Sequence, residues 1–371
     1  CQCRNPLCAA QHGPVQAQPG SRHLAHADGT PFLWLADTAW NGALRSTAEE
    51  WQHYLRVRTA QGFTATQVVV TQWIAAPSGD LGGQSAYTGS ERIAINPAFF
   101  QRLDARLDAA NQAGMLAVPV MLWAATWTEP GIWNINPGVS LPEDQAILLA
   151  RYMVARWGAH HLAWILNGDG DYRGERAARW QRIGRAVFGA RPHAPVLLHP
   201  SGMNIPADEF RDEAWLDIIT YQSGHGDDNP TLRWIWDGPP AQEWRHDPPR
   251  PLINLEPAYE DHIAYQSRER LSAHKVRREI YWSLLIAPPA GVTYGGHGVW
   301  GWDDGRPRRR RTRPPACQSP GAKPCTCLPP SRSRTLRRCL ARWNGGGCGP
   351  RPNCWPRSPT PPTMRHLLLP S

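Results

Sequence analysis

The sequence predicts a (β/α)8 barrel on two observations. Between residues 31 and 302, apolar runs of strand length alternate with amphipathic stretches of helix length, which is typical of parallel β/α architecture. The apolar runs number eight, the strand count of a TIM barrel. An open doubly wound sheet is the alternative. Such a sheet is expected to have a glycine-rich phosphate-binding loop after its first strand. At that position this chain has residues 36–40, with no GxGxxG or GxxxxGK[ST] pattern.

The eight predicted strands are apolar runs that each end in polar or aromatic residues. They are PFLWLADTAW (31–40), ATQVVVTQW (65–73), MLAVPVMLW (115–123), LAWILNGDGD (162–171), APVLLHPSG (194–202), WLDIITYQSGH (215–225), PLINLEPAYE (251–260) and GVTYGGHGVWGW (291–302).

Helices are predicted between most of these strands. The first begins at a capping box, Thr47-Ala-Glu-Glu50. The predicted helices are residues 47–61, 97–113, 142–157, 174–188 and 272–286. The connections after the fifth and sixth strands are less regular, and a Pro- and Trp-rich stretch after the sixth stands in place of a clean helix.

Charge and cysteine divide the chain into a body and two ends. The net charge is +9, but residues 306–371 contain fourteen Arg, one Lys and no acid, which leaves −6 for residues 1–305. All nine Cys lie before residue 9 or after residue 316, so a disulfide framework for the body is excluded. We therefore expect an unstructured segment at 1–19, a barrel domain at 20–305 and a separate tail at 306–371.

The basic tail reads as a disordered segment or as the product of a shifted reading frame. Arg, Pro, Gly, Ala, Cys and Ser dominate it, as they do when GC-rich codons are read out of phase, and it starts abruptly after a strand-loop motif. The frameshift interpretation is preferred, with the tail replacing the end of the barrel. A nucleic-acid partner would rest on this tail alone and is not expected.

The sequence indicates neither a membrane segment nor an export signal. No apolar run approaches the ~20 residues that span a bilayer. Residues 1–19 lack the charged-then-apolar order of a signal peptide.

Polar and aromatic residues collect where the predicted strands end, and functional residues of a TIM barrel lie at the C-terminal ends of its strands. In strand order they are Asp37 and Trp40; Gln72 and Trp73; Trp123 and Trp127; Asn167, Asp169 and Asp171; His199 and Ser201; Gln222, Ser223 and His225; Glu256, Tyr259 and Glu260; Tyr294, His297 and Trp300. We expect a functional site at this rim.

Elimination narrows the chemistry of the site. The body has no Cys, no G-x-S-x-G elbow and no H-E-x-x-H pair, which removes thiol nucleophiles and the common hydrolase motifs. Scattered His residues could bind a metal with Asp37 or Asp169, but the first strand lacks the H-x-H with which barrel amidohydrolases usually begin. We therefore predict no metal and no organic cofactor.

Asp169 and Glu256 remain as a pair of carboxylates expected to face each other across a mouth lined with Trp. Two carboxylates are the minimum for glycoside hydrolysis, in which one donates a proton to the leaving oxygen and the other acts from the opposite side. Their separation would distinguish retention from inversion. The alternative to a catalytic role for Glu256 is a structural one, in which its carboxylate caps a helix or pairs with Arg268 or Arg270. Asp171 is a competing acid.

Six ordered motifs, "DGTPFLWLADTAW", "WILNGDGD", "LLHPSG", "WLDIITYQSGH", "PLINLEPAYE" and "GVTYGGHGVWGW", resemble the apiosidase-like glycoside hydrolases, the barrel family that includes glycoside hydrolase family 140. The resemblance runs from about residue 20 to residue 304. It implies a retaining mechanism with Asp169 as acid/base and Glu256 as nucleophile, and a secreted or periplasmic location. The chain departs from the family in having Asn167-Gly168 before the acid, and in carrying the basic tail where relatives continue into a β-sandwich.

The combined prediction is a retaining glycosidase that acts on a complex, plant pectin-type oligosaccharide or polysaccharide. The alternative is a carbohydrate-binding barrel without activity. The oligomeric state is not predicted. Beside the catalytic pair, we expect Glu260 to be a neighbouring acid and Tyr294 to orient the nucleophile. The predicted substrate-binding residues are Asp37, Trp40, Trp73, Trp123, His199, Gln222, His225, Tyr259, Tyr294, His297 and Trp300.

Overall fold

A computed structural model of the chain describes residues 12–126, 135–190, 192–288 and 290–302. The predicted tail and Trp127 lie outside these residues. Within them, eight parallel strands form a nearly closed barrel with helices between them, which confirms the predicted fold class.

Each barrel strand lies inside one of the eight predicted runs. The barrel strands are β4 (Trp34–Thr38), β5 (Ala65–Val69), β8 (Leu116–Trp123), β9 (Trp164–Gly168), β10 (Val196–Leu197), β11 (Ile219–Gln222), β12 (Leu252–Glu256) and β13 (Gly291–Tyr294). Almost all of their residues are buried, as expected of parallel strands covered on both faces.

The barrel strands pair in the order β10-β9-β8-β5-β4-β13-β12-β11. A parallel bridge between Leu197 of β10 and Ile218, just before β11, joins the two ends of the sheet. The parallel register places Gln222 beside Glu256 and Tyr294 beside Asp37. Side chains from strands that are distant in sequence are thereby brought to one end of the barrel.

All five predicted helices are confirmed to within one residue at each end. The helices are α1 (Gly42–Arg45), α2 (Ala48–Ala60), α3 (Pro97–Gln112), α4 (Pro137–Ser140), α5 (Glu143–Trp157), α6 (Glu175–Phe188), α7 (Ala207–Phe210), α8 (Asn229–Asp237), α9 (Pro239–Glu243), α10 (Ala273–Ile286) and α11 (His297–Trp300). The predicted capping box forms at the start of α2, where the side chains of Thr47 and Glu50 each accept a bond from the other residue's N–H.

The connection after the sixth barrel strand is more regular than the sequence indicated. Asp228 caps α8 by accepting a bond from the N–H of Thr231, and a proline occupies its first turn. Leu232 and Ile235 lie three residues apart and are both buried by this helix. The Pro-rich composition obscured a helical period that spans only nine residues.

The structure also departs from the predicted boundary at residue 20. β1 (Val15–Ala17), β2 (Leu24–His26) and β3 (Pro31–Phe32) form a three-stranded antiparallel sheet before the barrel. Val15 is buried, which favours order in a segment that the sequence indicated to be unstructured. A further two-stranded ribbon, β6 (Tyr87–Thr88) with β7 (Ala94–Ile95), follows β5. Of the helices in the described ranges, none is long and apolar enough to cross a membrane.

Candidate active site

A cavity of about 310 Å³ opens where the barrel strands end. Four of its wall residues are tryptophans from different segments: Trp40, Trp73, Trp123 and Trp300. The ring of Trp123 packs edge-on against Trp40 at 5.5 Å between centroids and lies 4.3 Å from Trp73. Four of the five tryptophans predicted at the rim are therefore brought together in one place, and Trp127 lies outside the described residues.

Glu256, the last residue of β12, lies at the floor of this cavity and is 6% exposed. Its two carboxylate oxygens face two different histidines. Oε2 is 3.1 Å from Nε2 of His199, and Oε1 is 3.1 Å from Nε2 of His225. The carboxylate is thus held from both sides.

Backbone groups fix how the two histidines face Glu256. The N–H of Asp169 donates to Nδ1 of His199 at 3.3 Å, and the N–H of Tyr259 donates to Nδ1 of His225 at 3.3 Å. An imidazole whose Nδ1 accepts a bond carries its proton on Nε2 when neutral. Both rings therefore present an Nε2–H to the carboxylate.

These contacts set the charge of Glu256. Burial by itself would raise the pKa of the Glu256 carboxyl, but the bonds and charges of His199 and His225 hold that pKa well below its usual range. Burial would lower the pKa of His199, and the Glu256 carboxylate, with Asp169, raises it overall. Glu256 is consequently ionised at neutral pH.

Asp169 follows β9 directly and lines the same cavity. Its backbone is in the left-handed region at φ +50°, a conformation that aspartate tolerates better than most residues. Oδ1 of Asp169 lies 3.8 Å from Nδ1 of His199. One oxygen each of Asp169 and Glu256 and one nitrogen of His199 all lie within 4.8 Å of one another.

The glycine before Asp169 allows Trp123 to approach the strand. A Cβ at Gly168 would lie 2.3 Å from the Trp123 ring, closer than atoms can pack. This close approach explains the glycine at this point of the motif. It also keeps Trp123 against the cavity wall.

Asp171, the competing acid, is directed elsewhere. Its carboxylate accepts bonds from Arg173 at 2.8 and 2.7 Å and forms a further ion pair with Arg176. The bond from Arg173, helped by Arg176, lowers the pKa of Asp171 to about 2. An acid held ionised by two cations is poorly suited to donate a proton. Asp171 lies on a neighbouring groove and does not line the cavity.

Glu260 and Tyr294 lie beside the cavity and not in its lining. The hydroxyl of Tyr294 donates to Oε2 of Glu260 at 3.0 Å. The predicted bond from Tyr294 to the nucleophile therefore goes to its neighbour in the structure, because the side chains of Glu256 and Glu260 take different directions from the turn.

Asp37 is buried away from the cavity. The guanidinium of Arg58, on α2, donates to its two oxygens at 2.8 and 3.2 Å, and both side chains are fully buried. This placement does not support the predicted contact between Asp37 and a substrate.

Tyr259 joins the two sides of the cavity floor. Its hydroxyl accepts a bond from Nε1 of Trp40 at 2.9 Å. A Cβ at Gly295 would lie 2.0 Å from the Tyr259 ring, so the glycine directly after β13 lets this ring reach the floor.

The remaining predicted residues divide between lining and rim. Gln222 and His225 line the cavity, whereas His199 supports Glu256 from beneath and His297 is exposed outside it. Nε1 of Trp300 donates to Nδ1 of His297 at 3.4 Å. His297 thus contacts a wall residue without belonging to the wall.

Two aromatic lining residues, His262 and Tyr265, were missed by the sequence analysis. His262 stacks on His225 at 4.3 Å between ring centroids, and Tyr265 packs edge-on against His225 at 5.6 Å. Both lie in the loop between β12 and α10, beyond the strand end. The aromatic content of "HIAYQ" (262–266) is the signal that could have indicated them.

Two polar atoms of the lining have no hydrogen-bond partner within the described residues. They are the Nε1–H of Trp123 and Oε1 of Gln222, both buried. Buried polar atoms normally have partners, so a donor and an acceptor are left for a ligand.

Asp169, His199 and Glu256 together offer three potential metal ligands. The Asp169 N–H occupies Nδ1 of His199, however, so a neutral ring carries its proton on Nε2, toward Glu256. A metal-ligating histidine needs a free lone pair at the coordinating nitrogen. The contacts therefore favour a charged cluster of these three residues, and the absence of a metal stays a prediction.

Comparison with solved structures supports the fold. A glycoside hydrolase family 5 protein from Bacteroides vulgatus aligns with a TM-score of 0.67 and 24% identity over 78% of this chain. The chain covers 64% of that protein, less than two thirds. A Rhizomucor miehei endo-1,4-β-mannanase gives 0.55 and 12% over 76% of this chain and 90% of its own. The catalytic domain of a Thermobifida fusca endoglucanase gives 0.51 and 13% over 79% and 87%.

The family comparison is more specific than the fold. No curated protein matches the sequence. The family model described as "Apiosidase-like, catalytic domain" matches residues 18–330, which include every barrel strand and the cavity. The predicted resemblance and the predicted glycosidase class of the domain are thereby confirmed. This chain belongs to the apiosidase-like catalytic domain family.

Proposed function

We propose that the chain is a retaining glycoside hydrolase in which Glu256 is the nucleophile and Asp169 the acid/base. The observation that carries this proposal is the pair of carboxylates that line one Trp-walled cavity. An oxygen of Asp169 and an oxygen of Glu256 lie within 4.8 Å of each other. Retaining enzymes hold their two carboxyl groups ~5–5.5 Å apart, whereas inverting enzymes leave ~6.5–9.5 Å for a water molecule. The short separation supports retention.

The environment of Glu256 fits its proposed role. The two histidines keep Glu256 ionised, so it can attack the anomeric carbon while Asp169 transfers a proton to the leaving oxygen. The first step breaks the glycosidic bond and forms an ester to Glu256. In the second step water attacks the anomeric carbon, Asp169 takes a proton from the water, and the bond from that carbon to Glu256 breaks, which releases Glu256 as a carboxylate.

The cavity walls favour an uncharged sugar ring. Aromatic faces suit the C–H face of a sugar, and the Nε1–H of Trp123 and Oε1 of Gln222, which have no partner among the described residues, are a donor and an acceptor of the kind that sugar hydroxyls bind. Among the described lining residues there is no Lys or Arg to pair with a sugar carboxylate. Together with the family, this supports a neutral sugar of a complex, pectin-type polysaccharide as the substrate unit.

The test is a screen of the protein against pectic and hemicellulosic oligosaccharides, with the anomer of the first product followed by NMR. We expect hydrolysis with retention. Glu256→Gln should lower kcat by ~10⁴-fold or more, because the amide is not a nucleophile. Glu260→Gln is the matched control, since it changes the acid four residues away and should retain most activity.

An inverted product, or equal turnover by wild type and Glu256→Gln, would contradict the proposal. A carbohydrate-binding barrel without activity predicts a different pattern. In that case calorimetry would detect binding of an oligosaccharide that neither protein hydrolyses.

A further inference from the structure

The loop between β12 and α10 brings aromatic side chains to the cavity that the proposed catalytic steps do not use. Two residues of its segment 261–271, His262 and Tyr265, line the cavity. Tyr265 is 57% exposed, whereas the cavity residues Trp40 and Trp123 are buried. An aromatic ring that lines a cavity and is still exposed can stack on a ligand without displacing other protein groups.

Hydrogen bonds to the neighbouring loop, which follows β11, hold the 261–271 loop in place. The backbone N–H of Tyr265 donates to the carbonyl oxygen of His225 at 3.0 Å. The carboxylate of Asp227 accepts bonds from the N–H and the hydroxyl of Ser267 at 3.1 and 2.6 Å. Because the loop is already ordered, a ligand that binds to it loses little affinity to loop ordering.

His262 offers a hydrogen-bond acceptor in a fixed tautomer. Its Nδ1 lies 2.8 Å from the carbonyl oxygen of Ile263, which can only accept, so Nδ1 carries the proton. Burial, together with the imidazoles of His225 and His297, lowers the pKa of His262 to about 3, so the ring is neutral at neutral pH. Nε2 therefore keeps its lone pair, and within the described residues it has no hydrogen-bond partner.

The contact of these two residues with the reacting carboxylate runs through His225. Nε2 of His225 lies 3.1 Å from Oε1 of Glu256. His262 stacks on the His225 ring at 4.3 Å between centroids, and Tyr265 packs edge-on against the same ring at 5.6 Å. A sugar attached to Glu256 is held at the cavity floor, which leaves His262 and Tyr265 for the next sugar along the chain.

We propose that the 261–271 loop forms a second sugar subsite, in which Tyr265 stacks on the sugar next to the one bound at Glu256 and Nε2 of His262 accepts a bond from one of its hydroxyls. This inference rests on the proposed function, because it concerns the substrate of the same cavity. It assigns the cavity an oligosaccharide and not a single sugar as its ligand.

The test of the stacking ring is calorimetry in a Glu256→Gln background, in which turnover does not disturb binding. The probes are the tightest-binding oligosaccharide of a pectic and hemicellulosic panel and its constituent monosaccharides. Adding Tyr265→Ala should weaken oligosaccharide binding ~10-fold, and monosaccharide binding by less than about twofold. Tyr265→Phe keeps the ring and should restore most of the oligosaccharide affinity.

Tyr281→Ala is the matched control for this measurement. Tyr281 is 59% exposed, close to the value for Tyr265, but it lies on α10 and does not line the cavity. Its removal should leave the affinity for both probes unchanged.

Imidazole ¹⁵N NMR tests the acceptor of His262 directly. Nε2 should be unprotonated between about pH 5 and pH 8, and its signal should move when the oligosaccharide is added but not when a monosaccharide is added. His262→Phe keeps an aromatic ring without the acceptor and should weaken oligosaccharide binding ~3–10-fold.

Three outcomes would overturn the inference: unchanged oligosaccharide affinity in Tyr265→Ala, an equal loss of affinity for oligosaccharide and monosaccharide, or a His262 signal that does not respond to the oligosaccharide. Failure of the proposed function has a different signature. Glu256→Gln would then match wild type in turnover, while calorimetry and NMR would still decide whether the 261–271 loop binds a second sugar.

Discussion

Asp37 and Glu256 occupy the same place in the barrel pattern, because each lies near the C-terminal end of a buried strand. Arg58 binds both oxygens of Asp37, and neither side chain is exposed. Two histidines bind Glu256, and its carboxylate lines the cavity. Arg58 is a permanent cation that neutralises Asp37, so Asp37 has a structural role. The two histidines can donate while neutral, so they leave Glu256 ionised and accessible from the cavity. The partners of a buried acid, more than its place on a strand, indicate its role.

The largest change in stability should come from breaking the Asp37–Arg58 pair. Arg58→Met leaves a buried carboxylate without its cation and should lower the free energy of unfolding by ~3–5 kcal/mol. Chemical denaturation followed by fluorescence measures this loss. The control is Asp37→Asn with Arg58→Met, which should recover most of the stability. A cost under ~1 kcal/mol for Arg58→Met would show that the pair is not what holds this end of the barrel.

The same comparison applies to Asp169 and Asp171, which are two residues apart. Asp169→Asn should lower kcat by ~10²–10⁴-fold, because the leaving oxygen loses its proton donor. Asp171→Asn is the matched control. It removes the carboxylate of an ion-pair network whose two arginines are exposed, and should change stability by no more than ~1 kcal/mol. Steady-state kinetics on one hydrolysed oligosaccharide measures both, and the reverse order of effects would make Asp171 the acid.

Part of the fold and of the candidate site could be predicted from the sequence. The strands and long helices follow from hydrophobic period and capping, both of which are local. The catalytic candidates and the four cavity tryptophans followed from the barrel rule for strand ends. The pairing of Asp37 could not be predicted, because a charged residue such as Arg58 in an amphipathic helix reads as solvated. The two arginines that neutralise Asp171 had no distinguishing pattern either, and the loop that carries His262 lies beyond the strand ends.

The effect of His225 on the charge of Glu256 can be measured from the pH dependence of activity. His225→Phe removes a bond to Glu256 while burial remains, so the pKa of Glu256 should rise. Since the nucleophile must be ionised, the acid limb of kcat/KM should move to higher pH. The measurement is the pH profile of kcat/KM for both proteins. An acid limb that stays in place would mean that His225 does not control the charge of Glu256.

The smallest effect is expected at Tyr294. Tyr294→Phe removes the hydroxyl that donates to Glu260, at a cost of ~1 kcal/mol in the free energy of unfolding. It should leave kcat within about twofold, because Glu256 keeps both histidines. Thermal denaturation and steady-state kinetics on the same preparation measure the two quantities. A large loss of kcat with unchanged stability would restore Tyr294 as the residue that orients the nucleophile.

The most direct test of the central claim is to find which residue forms the covalent intermediate. The protein is incubated with a 2-deoxy-2-fluoro glycoside of a sugar that it hydrolyses, then digested and analysed by mass spectrometry. A retaining mechanism with Glu256 as nucleophile predicts one added sugar, on Glu256, and no labelling of Glu256→Gln. A label on Glu260 or Asp171, or an inverted product from the unsubstituted substrate, would contradict it.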